Sequence, residues 1–174
     1  MRTTTRIMLI TICCLAIILE AAIIYGIRVN TTTSYPVGVY LLTNAPIEKG
    51  SLVIFCPRNN STFQQARERG YIGAGFCPGG YGYMIKKLLA VKNDMVEISS
   101  IGVFVNGKLL PNSKPIATDS EGNPLPHIEA NIPALSDNSV LLMSDYNPES
   151  FDARYFGVID KSNIISAIQP IWTW

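Results

Sequence analysis

The chain has 174 residues, enough for one domain of ordinary size with a short appendage, and its formal net charge at pH 7 is +1. That balance excludes a broad electrostatic attraction to nucleic acid, so we expect no nucleic-acid partner. Apolar residues make up 48% of the chain, and their excess lies at the N-terminus.

The first predicted element is a membrane anchor over residues 7–27, preceded by a cytoplasmic tail over residues 1–6. This 21-residue segment carries one charge, Glu20. A helix of that length spans about 31 Å, close to the thickness of the hydrocarbon core of a bilayer. Arg2 and Arg6 precede the segment without an acidic residue, which predicts a cytoplasmic N-terminus and an exported domain over residues 28–174.

A cleavable signal peptide is the alternative interpretation of the same segment. A signal peptide has a shorter apolar region and a small-x-small cleavage site, and no such site follows residue 27. We therefore favour an uncleaved anchor. Glu20 either contacts another membrane helix or is held neutral or hydrated in the bilayer, and we favour the second interpretation.

The four cysteines fall into two pairs. Cys13 and Cys14 lie inside the anchor, where they behave as small apolar residues. Cys56 and Cys77 lie in the exported domain, where an oxidising compartment permits a disulfide. That bond would close a loop of 20 intervening residues, a constraint of about 3 kcal/mol in the chain-entropy model. A zinc site is the alternative, but a single histidine leaves four ligands hard to assemble, so we expect no metal and no cofactor.

Beyond the anchor, short apolar runs rich in Val, Ile, Tyr and Phe alternate with turn residues, which predicts a mainly β domain. The dipeptide Asn106-Gly107 predicts the turn of a β-hairpin. Residues 61–70 predict one helix, capped by Ser61 and ended by Gly70, as a small insertion between the two exported cysteines. The proline-rich residues 111–133 predict a loop over the sheet.

The candidate catalytic base is a lysine. A Ser-His-Asp hydrolase needs a histidine, and the one histidine, His127, lies in the proline-rich loop, where a surface position is the more common role. Lysine can replace it where burial makes the amine neutral. The strand YMIKKLLAV supplies Lys86 and Lys87, whose side chains point to opposite faces, so one of them can face inward. The alternative is that both lysines extend to solvent from an edge strand.

The candidate nucleophile is Ser34, in the segment TTTSYPVGVY that follows the anchor. Pro36 fixes its own φ and Gly38 permits a close approach, so a rigid turn can expose the serine hydroxyl. The alternative is a plain turn that joins the anchor to the first strand.

A third segment, SDYNPESFDARYFG at residues 144–157, follows an apolar strand and concentrates polar side chains. In an extended segment Ser150, Asp152 and Arg154 share one face, and the last two can pair. The alternative is a polar turn with a surface salt bridge of little energetic weight.

These segments occur in an order that resembles the type I signal peptidase family of serine-lysine peptidases, and within it the TraF-like branch of conjugative transfer systems. The matching motifs are SYPVG after the anchor, the lysine strand IKKLLAVKNDMV, the hairpin VFVNG and the last block SDYNPESFDARYFG. The last block is the most specific, because Asp, Ser, Asp, Arg and Gly all fall at matching offsets. The segments FCP and CPGGYGY and the short chain are similar to the TraF-like branch.

The resemblance implies a signal-peptidase-like β domain and a role for each matched residue. Ser34 is the implied nucleophile and Lys86 the implied general base. Asp152 falls at an aspartate that is implicated in activity in the TraF-like branch. Ser150 would orient the lysine amine, and the hydroxyl of Thr32 would help the N–H of Ser34 to form an oxyanion hole.

Structural roles are implied for Asp145 and for Arg154, which would pair with Asp152. The chain departs from the family pattern at four positions, Asn93, Ser144, Tyr146 and Ala153. None of these departures removes a catalytic group, but they bear on the geometry around Asp152.

The resemblance implies a single-pass protein of the bacterial inner membrane with a periplasmic catalytic domain. It further implies an endopeptidase of a conjugative transfer apparatus that processes a membrane-held pilin precursor through an acyl-enzyme and closes it into a ring. Two alternatives stay open. One is a general type I signal peptidase that hydrolyses signal peptides, and the other is a non-enzymatic, membrane-anchored β scaffold of a secretion apparatus.

Overall fold

The computed structural model describes residues 2–174 as an N-terminal helix followed by a mainly β domain, which confirms the predicted fold class. Met1, the first residue of the predicted tail, lies outside the described residues. The helices are α1 (Arg2–Ile24), α2 (Ser61–Glu68) and α3 (Ala153–Phe156). The strands are β1 (Ile27–Asn30), β2 (Gly38–Thr43), β3 (Leu52–Phe55), β4 (Ala74–Cys77), β5 (Met84–Ala90), β6 (Val96–Ile98), β7 (Val103–Val105), β8 (Lys108–Leu109), β9 (Ala130–Ile132), β10 (Ser139–Met143), β11 (Ile159–Asp160) and β12 (Ile164–Thr173).

Helix α1 is long and apolar enough to cross a membrane, and its span Thr3–Ile24 lies outside the core of the domain. The helix ends three residues before the predicted end of the anchor. The cause is Gly26, whose φ of 87° breaks the helix. Ile27 instead opens β1, where it pairs with Leu41 of β2.

The connection between α1 and β1 consists of two residues and is held by Arg28. Its guanidinium donates to the backbone carbonyl of Ile23 at 2.9 Å and to that of Ile27 at 2.8 Å. A cation at the C-terminus of a helix satisfies free carbonyls and complements the helix dipole. The helix therefore passes into the sheet without a loose linker.

The domain contains two antiparallel sheets. The larger has seven strands in the order β1-β2-β12-β3-β5-β10-β11, and the smaller has four in the order β8-β7-β6-β9. Asn106 and Gly107 form the turn between β7 and β8 at φ values of 52° and 76°, which confirms the predicted hairpin. The proline-rich residues 111–133 are not entirely a loop, because β9 pairs with β6 there.

The core explains which lysine of β5 faces inward. Val53, Met84 and Leu88 belong to the apolar cluster that packs under α2, whereas Ile85 belongs to a second cluster with Tyr40. Side chains two residues apart in a strand share a face. The residue between Met84 and Leu88 on the α2 side is position 86, so its side chain enters the core.

The predicted helical insertion is present, with different ends. The N-cap of α2 is Asn60, whose Oδ1 accepts from the N–H of Phe63 at 3.0 Å, so Ser61 is the first helical residue and not the cap. The helix ends at Glu68, two residues before Gly70. In the structure a disulfide joins Cys56 and Cys77 across the base of the insertion, with their Cα atoms 5.4 Å apart.

Candidate active site

Strand β5 lies between β3 and β10, so the alternative of an edge strand with two solvated lysines does not hold. The side chain of Lys86 is buried, with 1% exposure. Lys87 points to the other face and reaches Asp145, with 2.7 Å between Nζ and Oδ2. One lysine is therefore isolated from water, while its neighbour forms a partly exposed ion pair.

Residues 32–36 form a turn between β1 and β2, here called the serine turn, and it brings Ser34 onto Lys86. Oγ of Ser34 lies 2.7 Å from Nζ of Lys86. Nζ of Lys86 also lies 2.7 Å from Oγ of Ser150, which itself donates to Oγ of Ser34 at 3.1 Å. The two hydroxyls and the amine thus form a closed triangle of hydrogen-bond contacts. In this arrangement an uncharged amine can take the proton of Ser34 without any movement of the chain.

The environment of Lys86 favours the uncharged amine. The pKa of its ammonium falls from 10.5 to about 8, because burial lowers it, the nearby carboxylate of Asp152 raises it and the guanidinium of Arg154 lowers it. With a pKa of about 8, about a tenth of the amine is neutral at pH 7 and about half at pH 8. A group tuned in this way toward neutral pH is characteristic of catalytic bases.

Asp152 and Arg154 form a buried pair and not a surface salt bridge. Oδ1 of Asp152 accepts from Nε of Arg154 at 2.8 Å and Oδ2 accepts from Nη2 at 2.9 Å, with both side chains 0% exposed. The segment is also not extended, because Asp152 is the N-cap of α3 and accepts from the N–H of Arg154. The guanidinium further donates to the carbonyl of Ser150 at 2.8 Å, so the pair fixes the loop that carries this serine.

Asn30 organises the serine turn, a role that the sequence analysis did not predict. Its Nδ2 donates to the carbonyls of Thr32, Tyr35 and Pro36 at 3.0, 3.1 and 3.1 Å, and its side chain is buried. Its Oδ1 accepts from both the N–H and the hydroxyl of Thr32, at 3.1 and 2.9 Å. An asparagine two residues before a turn threonine is an Asx-type signal that could have been recognised.

Ser144 and Asn147 contact the serine turn from the opposite side, and no local sequence pattern predicts either contact. The hydroxyl of Ser144 donates to the carbonyl of Ser34 at 2.6 Å, and its backbone N–H donates to Oδ2 of Asp152 at 3.1 Å. Nδ2 of Asn147 donates to the carbonyl of Thr33 at 3.1 Å. Ser144, one of the four departures from the family pattern, therefore links the serine turn to the aspartate.

The two remaining predicted residues lie at the edge of this arrangement. The hydroxyl of Thr32 points at Asn30 and is not aimed at Ser34. Asp145 accepts from Lys87 and, at 2.8 Å, from the hydroxyl of Tyr35, which ties the serine turn to the end of β10. Burial raises the pKa of Asp145, but these hydrogen bonds outweigh burial, so its pKa lies below the ordinary value.

Ser34, Lys86 and Ser150 line a cleft of about 630 Å³. Residues 70–76, which lead from the insertion into β4, line the same cleft, so the disulfide lies close to a wall of the candidate site. His127 is not among the lining residues. Among residues 2–174 no group of three or more His, Cys, Asp or Glu side chains that could hold a metal ion occurs.

The chain is similar to known proteins over most of its length. A family model described as signal peptidase, peptidase S26, matches residues 2–174. A plasmid transfer protein TraF of Escherichia coli is 55% identical over 149 residues, which cover 86% of this chain and 84% of that protein. A conjugal transfer protein TraF of Agrobacterium fabrum is 34% identical over 154 residues, which cover 87% of this chain and 85% of that protein.

Among solved structures, the crystal structure of a signal peptidase I from Enterococcus faecalis matches with a TM-score of 0.39 and 13% identity, over 72% of this chain and 98% of that chain. The family match over residues 2–174 and the TraF relatives identify the family without this structural match. The chain belongs to the signal peptidase S26 family of peptidases.

Proposed function

We propose that this chain is a membrane-anchored serine endopeptidase with Ser34 as the nucleophile and Lys86 as the general base. The observation that carries the proposal is the 2.7 Å separation between Oγ of Ser34 and Nζ of a lysine that is 1% exposed. Burying an amine against a hydroxyl costs stability, because the ammonium loses its hydration. A scaffold protein would have no use for that arrangement, whereas a serine-lysine enzyme requires it.

The reaction follows from the contacts. Neutral Lys86 takes the proton of Ser34 while its Oγ attacks the scissile carbonyl, and the resulting ammonium returns a proton to the leaving amine. Ser150 lies within hydrogen-bond distance of both groups and keeps the amine directed at Ser34. The product of this half-reaction is an ester between Ser34 and the N-terminal part of the substrate.

The oxyanion is stabilised by the backbone N–H of Ser34, which donates to no group among residues 2–174. The hydroxyl of Thr32 can donate a second hydrogen bond to the oxyanion once it releases its hydrogen bond to Oδ1 of Asn30. Losing one such donor typically costs about 3 kcal/mol in the transition state.

Asp152 acts on Lys86 through its charge, because no hydrogen bond joins the two residues among the described contacts. The carboxylate raises the pKa of the lysine and so opposes the effect of burial and of Arg154. The base therefore retains enough basicity to remove a hydroxyl proton. The same carboxylate orders the loop of Ser150 through Arg154 and the serine turn through Ser144.

The anchor supports a membrane-held substrate. We place α1 across the bacterial inner membrane with its N-terminus in the cytoplasm and residues 28–174 in the periplasm, where an oxidising compartment suits the disulfide. Ser34 follows the last residue of α1, Ile24, closely. A peptide whose own membrane segment lies beside α1 would present the bond near its surface to this serine.

The TraF relatives, which are named plasmid and conjugal transfer proteins, support a conjugative transfer system as the setting and a pilin precursor as the substrate. If the N-terminal amine of the pilin attacks the acyl-enzyme, the product is a ring. If water attacks, the product is linear, as for a general signal peptidase, and the family to which the chain belongs favours this second candidate.

The test is intact mass spectrometry of a candidate pilin precursor from the same transfer system, co-expressed with the wild type and with Ser34→Ala. A ring is lighter than the linear hydrolysis product by the mass of one water. Either product supports the proposed catalysis if Ser34→Ala abolishes it, and the mass decides between ring closure and hydrolysis. Processing that persists with Ser34→Ala would overturn the assignment of the nucleophile.

A further inference from the structure

The serine turn has all of its carbonyl groups occupied by side chains. Asn30 donates hydrogen bonds to the carbonyls of residues 32, 35 and 36. Asn147 donates to that of residue 33, and Ser144 to that of residue 34. Three side chains thus bind five consecutive carbonyls. The N–H of Ser34 is in the opposite situation, since it donates to no described group.

The carbonyl of Thr33 and the N–H of Ser34 belong to one peptide unit, and this connects the two observations. A peptide unit is planar, and in the trans form its C=O and N–H point in opposite directions. The described chain contains no cis peptide bond. Fixing the carbonyl of Thr33 therefore also fixes the direction of the N–H of Ser34, which points away from residues 144–147.

Asn147 is itself oriented, so its amide cannot turn freely. Its Oδ1 accepts from the N–H of Glu149 at 2.9 Å, and its backbone N–H donates to Oγ of Ser144 at 3.0 Å. Because the amide oxygen accepts from Glu149, the amide nitrogen faces Thr33. It donates to the carbonyl of Thr33 at 3.1 Å and to its Oγ1 at 3.3 Å.

We propose that Asn147 is a positioning residue that aims the backbone N–H of Ser34 at the oxyanion of the transition state. This inference rests on the proposed function, because it assigns the device that orients the donor of that same reaction. A preorganised donor is effective only if its direction is set before charge develops. Without Asn147 the peptide unit between Thr33 and Ser34 can rotate, and the donor loses its direction while the serine and lysine side chains keep theirs.

Two variants of Asn147 isolate the contact. Asn147→Asp keeps an oxygen that can accept from Glu149 but removes the N–H donor to Thr33, and Asn147→Ala removes both without adding charge. The matched control is Asn112→Gly. Nδ2 of Asn112 donates to the carbonyl of Asp145 at 2.9 Å, so this variant removes an amide donor to the loop that carries Asn147 and leaves the serine turn untouched. Glycine tolerates the φ of 52° at this position.

The experiment uses the full chain in detergent, the pilin precursor, and a peptide boronic acid that ends at the residue cleaved in that pilin. Boron bonded to Oγ of Ser34 becomes tetrahedral and places an oxygen where the oxyanion forms. We expect both Asn147 variants to lower kcat by about 10- to 100-fold, to leave KM within about twofold, and to weaken boronic acid binding by the same factor as kcat/KM. Asn112→Gly should match the wild type in all three quantities.

A changed KM with normal boronic acid binding would overturn the inference, as would wild-type kcat in either Asn147 variant. If the wild type processes the pilin in a Ser34-dependent manner while the variants match it, the inference falls and the proposed function stands. If the wild type shows no Ser34-dependent processing, both fall.

Discussion

Replacing Lys86 by methionine should abolish activity and, at neutral pH, make the protein more stable. Methionine has a similar length and no charge to desolvate, and it fits the apolar face between Met84 and Leu88. Ser34 and Ser150 remain hydrogen-bonded to each other across 3.1 Å when the amine is gone. The change therefore removes a buried amine without leaving an isolated polar group.

The magnitude follows from the pKa of the fully buried amine. Burial lowers the pKa of Lys86 from 10.5 to about 8, and each pKa unit corresponds to about 1.4 kcal/mol. Between pH 8 and 10.5 the unfolded chain binds more protons at this residue than the folded one, so stability rises with pH in this window. Below pH 8 both states are protonated, and the full cost of about 3 kcal/mol applies. Lys86→Met should thus be more stable than the wild type by up to about 3 kcal/mol at pH 7 and by little at pH 10.5.

The assay is urea unfolding of the full chain in detergent at pH 7, 8.5 and 10.5, for the wild type, Lys86→Met and Lys87→Met. Lys87 is the matched control because its partly exposed ion pair with Asp145 contributes at most about 1 kcal/mol. A difference between wild type and Lys86→Met that stays constant over this pH range would refute the reasoning. So would a Lys86→Met protein that is less stable than the wild type at pH 7.

Three further predictions concern the same site. If the neutral amine of Lys86 is the base, as proposed, kcat/KM should rise about tenfold per pH unit below 8, with a midpoint of about 8. A flat profile between pH 6 and 9 would contradict the assignment. Arg154→Met should lower the free energy of unfolding by about 3 to 5 kcal/mol, because it leaves the buried carboxylate of Asp152 without its partner. Arg154→Lys should recover little of that loss, since lysine cannot bind both carboxylate oxygens. Urea unfolding checks both variants, and a loss below about 1 kcal/mol would indicate a surface pair. Replacing Cys56 and Cys77 by alanine should cost about 3 kcal/mol, and the wild type should lose the same amount under reducing conditions; unchanged unfolding in reductant would argue against the disulfide.

The parts of the site that could be predicted depend on local geometry. The alternation of side chains along a strand is a property of the backbone, so one inward lysine in YMIKKLLAV could be expected before its partner was known. The side chains of Ser34 and Lys86, two residues at which the chain matches the family motifs, lie at hydrogen-bond distance in the structure. The hairpin turn at Asn106 and Gly107 was predictable for the same reason, because its φ values are intrinsic to the dipeptide.

The parts that could not be predicted depend on contacts between distant segments. Ser144 and Asn147 meet the serine turn across 110 and 114 residues of chain, and no local pattern encodes such a contact. The spacing of Asp152 and Arg154 allowed a pair, but spacing cannot distinguish a surface pair from one that is 0% exposed, because burial depends on how α3 packs. Ser61 was predicted as a cap where Asn60 is used, since both residue types accept hydrogen bonds well at that position.

The two-residue connection between α1 and β1, held by Arg28, has a consequence for which bond is cut. If α1 anchors the chain as proposed, the domain has almost no freedom to swing away from the bilayer, and Ser34 has a short radius of action. The chain between Ile24 and Ser34 cannot exceed about 36 Å even when fully extended. The choice of the bond to be cut then depends on the height of Ser34 above the membrane as well as on the side chains of the substrate. Among several chemically acceptable peptide bonds, the enzyme would cut the one whose distance from the substrate's own membrane segment matches this fixed height.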